Sequence, residues 1–263
     1  MMAAAPPLYV LTTDTQALVC RVRVNDVTVY LNRDGRQEFA VDKVNPVVWS
    51  GRNQISVSIA MPAPKPGESP PPKPPKPSLH VRLQVGVQGI DPGKTGILAE
   101  YTWTAGPTPP GAGPPTEVWR AEFTAGELPW RVRWAANEPV RVDREALTLA
   151  VRSYVDAYRA RDAARVIALD SVKDDETARA LDLDPAEMRE ERAETYRNLM
   201  AAEGYRVDAV SLNSLEFETE GGGRLVHVTG PGGSPAITIS AGGGRRPIEF
   251  TFAWLDGAWR VVR

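Results

Sequence analysis

Cysteine is almost absent from this sequence, and histidine is nearly as rare. The single cysteine, Cys20, excludes an intrachain disulfide bond. Its context, VCRVRV, alternates apolar and basic residues, so we interpret Cys20 as a small apolar side chain on a strand. The two histidines, His80 and His227, are far apart and have no cysteine or clustered acidic partners, so no zinc site is expected.

The sequence also lacks a long apolar run and a strong excess of one charge. No segment approaches the length of a membrane span, and no basic region precedes the apolar residues near the start. We expect a cytoplasmic protein, or a periplasmic or secreted one if a signal peptide has been removed. Residues 1–135 hold 14 Lys and Arg against 11 Asp and Glu, and the remainder 17 against 22. Neither half has the strongly basic surface that nucleic-acid binding needs.

Several motifs that would identify chemistry are missing. There is no G-x-S-x-G nucleophile motif, and the acidic residues do not follow the EF-hand order of calcium sites. The stretch GIDPGKTG resembles a phosphate-binding loop, but Gln88 occupies the position of its first glycine and no helical pattern follows. We interpret it as a turn between strands. The sequence therefore predicts no cofactor and no metal.

Proline and glycine, by contrast, are abundant, with 24 and 22 residues. Prolines concentrate in residues 62–78 and 104–117, which predict stiff loops or linkers; a polyproline ligand for an aromatic groove is the alternative for the first. Apolar and polar residues alternate in LVCRVRV, VTVYL and LHVRLQV, as they do in strands, and Asn25-Asp26 predicts a hairpin turn. Further strands are expected in VWRAEFTA and LPWRVRWAA. Residues 1–135 are thus predicted to form an all-β sandwich with proline-rich loops.

One segment of this half, NPVVWSGRNQISVSI, resembles a piece of the galactose-binding-like, jelly-roll β-sandwiches. The resemblance implies a sandwich and, by analogy, a ligand-binding one. Five tryptophans lie in this half, and most are expected to fill its core. Trp49 and Trp103 are the candidates for an exposed platform that stacks on a sugar or a peptide.

The second half begins with helical periodicity. A first helix is predicted after Asp143, a short second helix after the cap Asp162, and a third that begins at Asp184-Pro185 and runs toward Gly204. The side chains expected to face the core are Leu147, Ala150, Val151, Tyr154 and Tyr158 in the first helix, Val166, Ile167 and Leu169 in the second, and Met188, Thr195, Leu199 and Ala202 in the third.

Only strands are expected after Gly204, separated by glycine-rich breaks. They are YRVDAVSL, LEFET, RLVHVTG, AITIS, IEFTFAWL and AWRVVR. Asp256-Gly257 predicts a tight hairpin turn between the last two, with Trp259 packed beneath the helices.

The helical stretch SYVDAYRARDAARVIAL and the terminal FTFAWLDGAWRVVR resemble the nuclear transport factor 2-like family, also called SnoaL-like or cystatin-like. The resemblance implies an α+β cone over residues 136–263, with helices packed on a curved antiparallel sheet. It also implies a homodimer, because such cones often pair through the outer face of the sheet. The complete expectation is a two-domain protein, an all-β sandwich followed by this α+β cone.

Catalytic members of that family use the pocket of the cone, with an acid or a His–Asp pair and often a tyrosine. The corresponding candidates are His227, Tyr154 and Asp156 for catalysis, and Tyr196 and Tyr205 for binding. No spacing pairs them, and His227 equally fits a structural strand histidine, as Asp156 fits a solvated helix residue. The remaining acids are interpreted as a soluble helical face able to meet a basic partner. They are Asp174, Asp175, Glu176, Glu190, Glu191 and Glu194.

These observations favour a non-catalytic binding protein that engages another protein. A sharper version is an immunity or accessory protein of a bacterial secretion system, by analogy of architecture. The first alternative is an isomerase, dehydratase or cyclase that acts in the cone pocket with His227 and a tyrosine. The second is a carbohydrate-binding protein that uses Trp49 or Trp103 as a stacking surface.

Overall fold

The structure, a computed structural model, describes residues 6–62, 76–87, 96–105 and 115–263. Within these residues the chain is mixed α and β, with three α-helices and four antiparallel sheets. The chain divides into two compact units, Met1–Arg131 and Val132–Arg263. Trp134, one of the five tryptophans within residues 1–135, therefore belongs to the second unit.

The first unit contains two four-stranded antiparallel sheets. Their strand orders are β4-β1-β6-β7 and β3-β2-β5-β8. The strands are β1 (Pro7–Gln16), β2 (Val19–Val24), β3 (Val27–Asn32), β4 (Glu38–Lys43), β5 (Gly51–Ala60), β6 (Ser78–Val87), β7 (Gly96–Thr104) and β8 (Thr116–Ala125).

The hairpin predicted at Asn25-Asp26 is confirmed. Strands β2 and β3 pair across these two residues, and both adopt the left-handed backbone conformation, with φ of 53° and 62°. Two consecutive positive φ values match the right-handed twist of the flanking strands. The Asn25 side chain donates hydrogen bonds to the Val47 carbonyl and the Asn53 side chain, both at 2.7 Å. The turn is thereby tied to the adjacent strand β5.

The predicted alternation in β6 holds only for its first half. Leu79, Val81 and Leu83 are buried, but Val85 is only half-buried while the neighbouring Gln84 is buried. The change coincides with a β-bulge in the neighbouring strand: Leu83 pairs with Ala99 and Gln84 with Ile97, so Leu98 of β7 is the extra residue and the register shifts at this step.

The prediction of a strand in LPWRVRWAA is wrong, whereas those for the proline-rich stretches are not tested. LPWRVRWAA is not a strand: it contains a 3-10 helix at Arg133–Ala136, and the buried indoles of Trp130 and Trp134 anchor the stretch instead. Most of the proline-rich stretches and GIDPGKTG lie outside the described residues. The predictions for them stay predictions.

The second unit carries all three helices and two further antiparallel sheets. The sheets have the orders β10-β11-β14-β15 and β13-β12-β9. The elements are α1 (Arg144–Arg159), α2 (Ala163–Ala180), α3 (Pro185–Ala201), β9 (Arg206–Ala209), β10 (Glu216–Glu220), β11 (Leu225–Thr229), β12 (Ile237–Ala241), β13 (Gly244–Ile248), β14 (Phe250–Leu255) and β15 (Ala258–Val261).

All three helices begin at the predicted aspartates, of which Asp162 and Asp184 were expected as caps. The side chains of Asp143, Asp162 and Asp184 each accept a hydrogen bond from a backbone N–H in the first turn. The second helix was expected to be short, yet α2 has 18 residues. The second half of α2 buries Asp170, Asp174 and Glu176. Because these buried residues are not apolar, the helical pattern of apolar residues in the sequence stops before the helix does.

The inner face of α3 also differs from the prediction. Thr195 is exposed, and the fully buried residues are Tyr196 and Met200. The helix ends at Ala201 with Ala202 as its cap, so Gly204 lies beyond the cap position. The inner face is rotated because α3 turns an arginine, Arg192, toward α2, as described below.

The strands were predicted with one omission. Strand β13 was missed because it is short, glycine- and arginine-rich and contains Pro247, which fits an edge strand. The predicted strand IEFTFAWL is divided at Glu249 between β13 and β14. As a result the second unit has a four-stranded and a three-stranded sheet, where a single curved sheet was expected.

Aromatic rings fill the space between the helices and the sheets of this unit. The ring of Tyr154 on α1 lies 4.7 Å from that of Phe250, and Phe250 lies 5.9 Å from Phe252. Tyr158 packs against Tyr196 at 6.1 Å. Val226 and Val228 of β11 face the same core. The α1 face predicted from periodicity is therefore the buried one, with only Ala150 half-buried.

Candidate functional site

His227 does not face the helices. It lies on β11 between Val226 and Val228, which pack into the core beneath the helices, so the alternation of the strand turns His227 to the opposite face. There its Nδ1 lies 3.2 Å from Thr251 Oγ1, and its Nε2 lies 3.8 Å from the Glu249 carboxylate. The histidine is buried; Thr251 belongs to β14, and Glu249 lies directly before that strand.

The other two catalytic candidates are separated from His227 and from each other. Tyr154 is buried, and its hydroxyl donates a hydrogen bond of 2.9 Å to Asp170 Oδ1. Asp156 is exposed on the other side of α1. The structure therefore brings no two of the three catalytic candidates together.

The two tyrosines predicted as binding residues have structural partners. Tyr196 donates a hydrogen bond of 3.1 Å to Asp170 Oδ2 and accepts one of 2.9 Å from Arg192. Tyr205 donates a hydrogen bond of 2.7 Å to the backbone carbonyl of Tyr158, and Arg161 lies over its ring.

Asp170 is the centre of a polar cluster that the sequence analysis missed. Besides both tyrosine hydroxyls, its carboxylate contacts Lys173 Nζ at 2.7 Å and Arg192 at 3.0 Å. Arg192 also forms an ion pair with Asp174. The cluster joins the three helices, and its two carboxylates and two cations balance in charge. We call these residues, Tyr154, Asp170, Lys173, Asp174, Arg192 and Tyr196, the aspartate cluster.

The acids of α2 do not form the solvated face that was expected. Asp174 and Glu176 are buried. Burial raises the pKa of Asp174, an effect that Arg192 opposes, and burial raises the pKa of Glu176 to about 7. The prediction of an exposed acidic face holds for Glu190, Glu191 and Glu194 on α3. Spacing could have indicated that acids of α2 are buried. Asp170 and Asp174 are four residues apart, so they share the helix face of the apolar Val166.

The aspartate cluster has a structural rather than a catalytic geometry. Burial raises the pKa of both Tyr154 and Tyr158, and the nearby Asp170 adds to the rise. Their hydroxyls therefore remain protonated donors at neutral pH and do not serve as bases. The carboxylate of Asp170 has four donors around it, which leaves no position for a reacting atom.

Neither tryptophan proposed as a sugar platform is an exposed flat ring. Trp49 is half-buried, and its indole N–H donates a hydrogen bond of 3.0 Å to the backbone carbonyl of Arg52. Trp103 on β7 is half-buried opposite Leu79. The nearby Tyr101 is stacked on Trp119, with ring centroids 5.1 Å apart.

The most exposed indole lies in the second unit, on the last hairpin. Trp254 of β14 and Trp259 of β15 are direct cross-strand partners on the same face. Together with residues 140–144 they line a surface cavity of about 630 Å³. We call this cavity the tryptophan groove; its lining residues are Val140, Arg141, Val142, Asp143, Arg144, Trp254 and Trp259.

Hydrogen bonds hold the segment before α1 along the ends of the hairpins. Asn137 donates from its side chain to the Trp254 carbonyl at 2.9 Å, and the Val140 N–H donates to the Gly223 carbonyl at 2.9 Å. Arg133 forms an ion pair of 2.7 Å with Asp256 in the turn of the last hairpin. These contacts position the backbone wall of the groove beside the two indoles.

A second surface cavity, of about 420 Å³, adjoins the first through Arg144, which lines both. Its apolar residues include the exposed Leu149 and the ring of Phe217, over which the Arg144 guanidinium lies at 5.2 Å. Arg152 also lines it.

No cluster of three or more histidine, cysteine, aspartate or glutamate side chains in the described ranges is arranged to hold a metal ion. Across the same ranges, none of the helices is long and apolar enough to cross a membrane.

Comparisons with known proteins found no significant match to a protein-family model, to a curated protein or to a solved structure.

Proposed function

We propose that this chain is a non-catalytic binding protein that engages a protein partner through the tryptophan groove. The observation that carries the proposal is the exposed indole of Trp254, 44% accessible, in a surface groove of about 630 Å³. Aromatic side chains are enriched at the energetic centres of protein interfaces, where they contribute large contact area at little cost in side-chain entropy.

The interior of the second unit supports the same proposal. A catalytic cone needs an open pocket with facing acid and base groups. Here the rings of Tyr154, Tyr158 and Phe250 occupy the space beneath the helices, and His227 faces the other way. A filled interior with an exposed aromatic groove at the surface is the arrangement of a recognition protein.

For the fold, we propose a β-sandwich followed by a nuclear transport factor 2-like cone. The contact of Tyr9 on β1 with Phe123 on β8, at 6.4 Å, supports face-to-face packing of the two sheets of the first unit. The packing of the three helices on the core strands supports the cone. Neutralising or escorting a partner, as an immunity or accessory protein of a bacterial secretion system does, is the finer form of the functional proposal.

The test is an affinity pull-down from the native host with the full chain and two variants as baits. Trp254→Ala removes the exposed indole, and Leu183→Ala removes an exposed apolar side chain, 40% accessible, that does not line the groove. We expect one stoichiometric protein with the wild type and with Leu183→Ala, and its loss with Trp254→Ala. Equal capture by all three baits, or capture by none, would contradict the proposal.

The homodimer through the outer sheet face of the cone stays a prediction. Light scattering of the full chain during size-exclusion chromatography measures its mass directly, and a monomer at tens of micromolar would contradict it.

A further inference from the structure

We propose that the tryptophan groove takes an acidic segment of its partner, with one large apolar side chain between the acidic residues. This inference rests on the proposed function and names the chemistry of the partner. Its two parts have separate physical grounds, the apolar surface of the groove and the arginines along it.

The apolar part follows from the shape of the groove. The two indoles meet edge to face, with ring centroids 5.5 Å apart, beside Val140 and Val142. A surface of this kind stabilises an aromatic or branched aliphatic side chain, because both partners remove apolar area from water. A small or polar side chain would leave Trp254 hydrated.

The acidic part follows from three exposed arginines, Arg141, Arg144 and Arg152, that line the two adjoining cavities. Within the described residues none of the three has a carboxylate partner. Other arginines of this unit are paired at short range: Arg189 with Asp175, Arg197 with Glu190 and Arg206 with Asp208, all within 2.8 Å.

The acids beside these arginines do not cancel them. The carboxylate of Asp143 accepts a hydrogen bond from the Ala146 N–H and caps α1, and Glu145 lines the second cavity, so two carboxylates stand against three guanidinium groups. The surrounding sequence is acidic, because residues 136–263 hold 17 Lys and Arg against 22 Asp and Glu. The two adjoining cavities therefore carry an excess of one positive charge on an acidic unit, and charge complementarity favours an acidic partner.

The spacing of the arginines indicates the length of the segment. Arg144 and Arg152 are eight residues apart on α1, which corresponds to about 12 Å along the helix. An extended peptide covers this distance with roughly four residues. Acidic residues at both ends of such a stretch would reach Arg144 and Arg152. The apolar side chain would lie beyond the acid at Arg144, enter the groove at Trp254 and be followed by an acid at Arg141.

The experiment is a selection from a random dodecapeptide library displayed on phage, with the immobilised full chain as target and Trp254→Ala for counter-selection. We expect enriched peptides with several Asp or Glu and one Trp, Phe, Leu or Ile. For a synthetic peptide of the enriched sequence, Arg144→Glu should weaken binding by about tenfold or more, and added salt should weaken it further.

Arg165→Glu is the matched control, because Arg165 is exposed in the first turn of α2 and does not line either cavity. Its effect on peptide affinity should stay within about twofold. Both variants place a glutamate in the first turn of a helix, where negative charge is favourable, so both are expected to fold.

The outcomes separate the two proposals. One outcome is a set of Trp254-dependent peptides that are neutral or basic; another is peptides whose affinity does not change in Arg144→Glu. Either outcome overturns the proposal of an acidic segment and leaves the proposed function standing. A library from which no Trp254-dependent peptide emerges overturns both. Acidic peptides that lose affinity in Arg144→Glu and retain it in Arg165→Glu support both.

Discussion

Trp254 and Trp259 are directly opposite each other across the last hairpin, with their ring planes at 74° and their centroids 5.5 Å apart. Trp254 is 44% accessible, whereas Trp259 is half-buried and packs against the core beneath the helices. One indole therefore contributes mainly to stability, and the other exposes its surface to solvent.

This division predicts unequal effects of the two tryptophans on stability. Trp259→Ala should lower the free energy of unfolding of the second unit by about 3 kcal/mol, because it leaves a cavity against the core. Trp254→Ala should lower it by about 1 kcal/mol, which is the value of an edge-to-face aromatic pair. The measurement is urea unfolding monitored by ¹⁹F NMR of fluorotryptophan-labelled protein. The signal of Trp134 reports the unfolding of the second unit, and that of Trp130 reports the unfolding of the first.

The double variant completes the thermodynamic cycle. We expect a coupling energy of about 0.5–1.5 kcal/mol between the two indoles. A coupling of zero would mean that the rings do not interact in solution, and the groove would then have a different shape from the one described.

The turn of the same hairpin gives a second prediction. Gly257 has a φ of 74° in the two-residue turn with Asp256, a backbone conformation that a residue with Cβ adopts at a cost. Gly257→Ala should destabilise the second unit by about 1 kcal/mol.

The control for this turn is Gly244→Ala, since Gly244 begins β13 without a positive φ and a Cβ there would make only an ordinary contact. Its effect should be no larger than about 0.5 kcal/mol in the same urea titration. Equal losses in the two variants would show that the backbone at Gly257 is not constrained as described.

The aspartate cluster gives a third prediction. Asp170→Asn replaces an acceptor oxygen by a donor that would face Lys173 and Arg192, so it should destabilise the second unit by about 3–5 kcal/mol. Tyr196→Phe removes two hydrogen bonds, the one to Asp170 and the one from Arg192, and should cost about 2 kcal/mol.

The control is Glu190→Gln, which breaks an ion pair between exposed side chains and should change stability by less than about 0.5 kcal/mol. The three variants are compared by urea unfolding at pH 7. If Asp170→Asn were as mild as Glu190→Gln, the cluster would not join the helices.

The elements that were predicted correctly are those in which local chemistry and tertiary packing agree. The caps Asp143, Asp162 and Asp184 act within their own first turns, and Asn25 and Asp26 adopt the left-handed backbone conformation that their own hairpin turn requires. Such signals do not depend on the rest of the fold. Where the pairing of a neighbouring strand shifts, as that of β7 does opposite Leu83 and Gln84, alternation alone was misleading.

The candidate site was less predictable, for a related reason. Periodicity identifies apolar faces, but α2 buries carboxylates that are neutralised by Arg192 and Lys173 from outside the apolar stripe. The groove depends on a cross-strand pair and on residues 140–144, which are more than a hundred positions apart in the sequence. Only the hairpin at Asp256-Gly257 could have indicated that Trp254 and Trp259 meet, and it could not indicate the arginines beside them.

The last prediction concerns pH and the buried carboxyl of Glu176. Burial raises its pKa from 4.5 to about 7, although the nearby Arg133 and Arg179 oppose the rise. In the unfolded chain this carboxyl ionises near its ordinary pKa, so between pH 4.5 and 7 the folded protein binds more protons than the unfolded one. The contribution of Glu176 to the free energy of unfolding is therefore greatest below this pH window and falls as the pH rises through it.

The size of this loss and its control make the prediction specific. At about 1.4 kcal/mol for each pKa unit, the loss between pH 4.5 and 8 should be roughly 3 kcal/mol. Glu176→Gln, which cannot ionise, should remove most of this slope and be more stable than the wild type at pH 8. Glu194→Gln alters an exposed acid and should reproduce the wild-type profile. Urea titrations at pH 5, 6, 7 and 8 measure both effects of Glu176→Gln, the lost slope and the higher stability at pH 8. Both must appear together, because they have one cause. A stability profile of Glu176→Gln parallel to that of the wild type would contradict the buried position of this carboxyl.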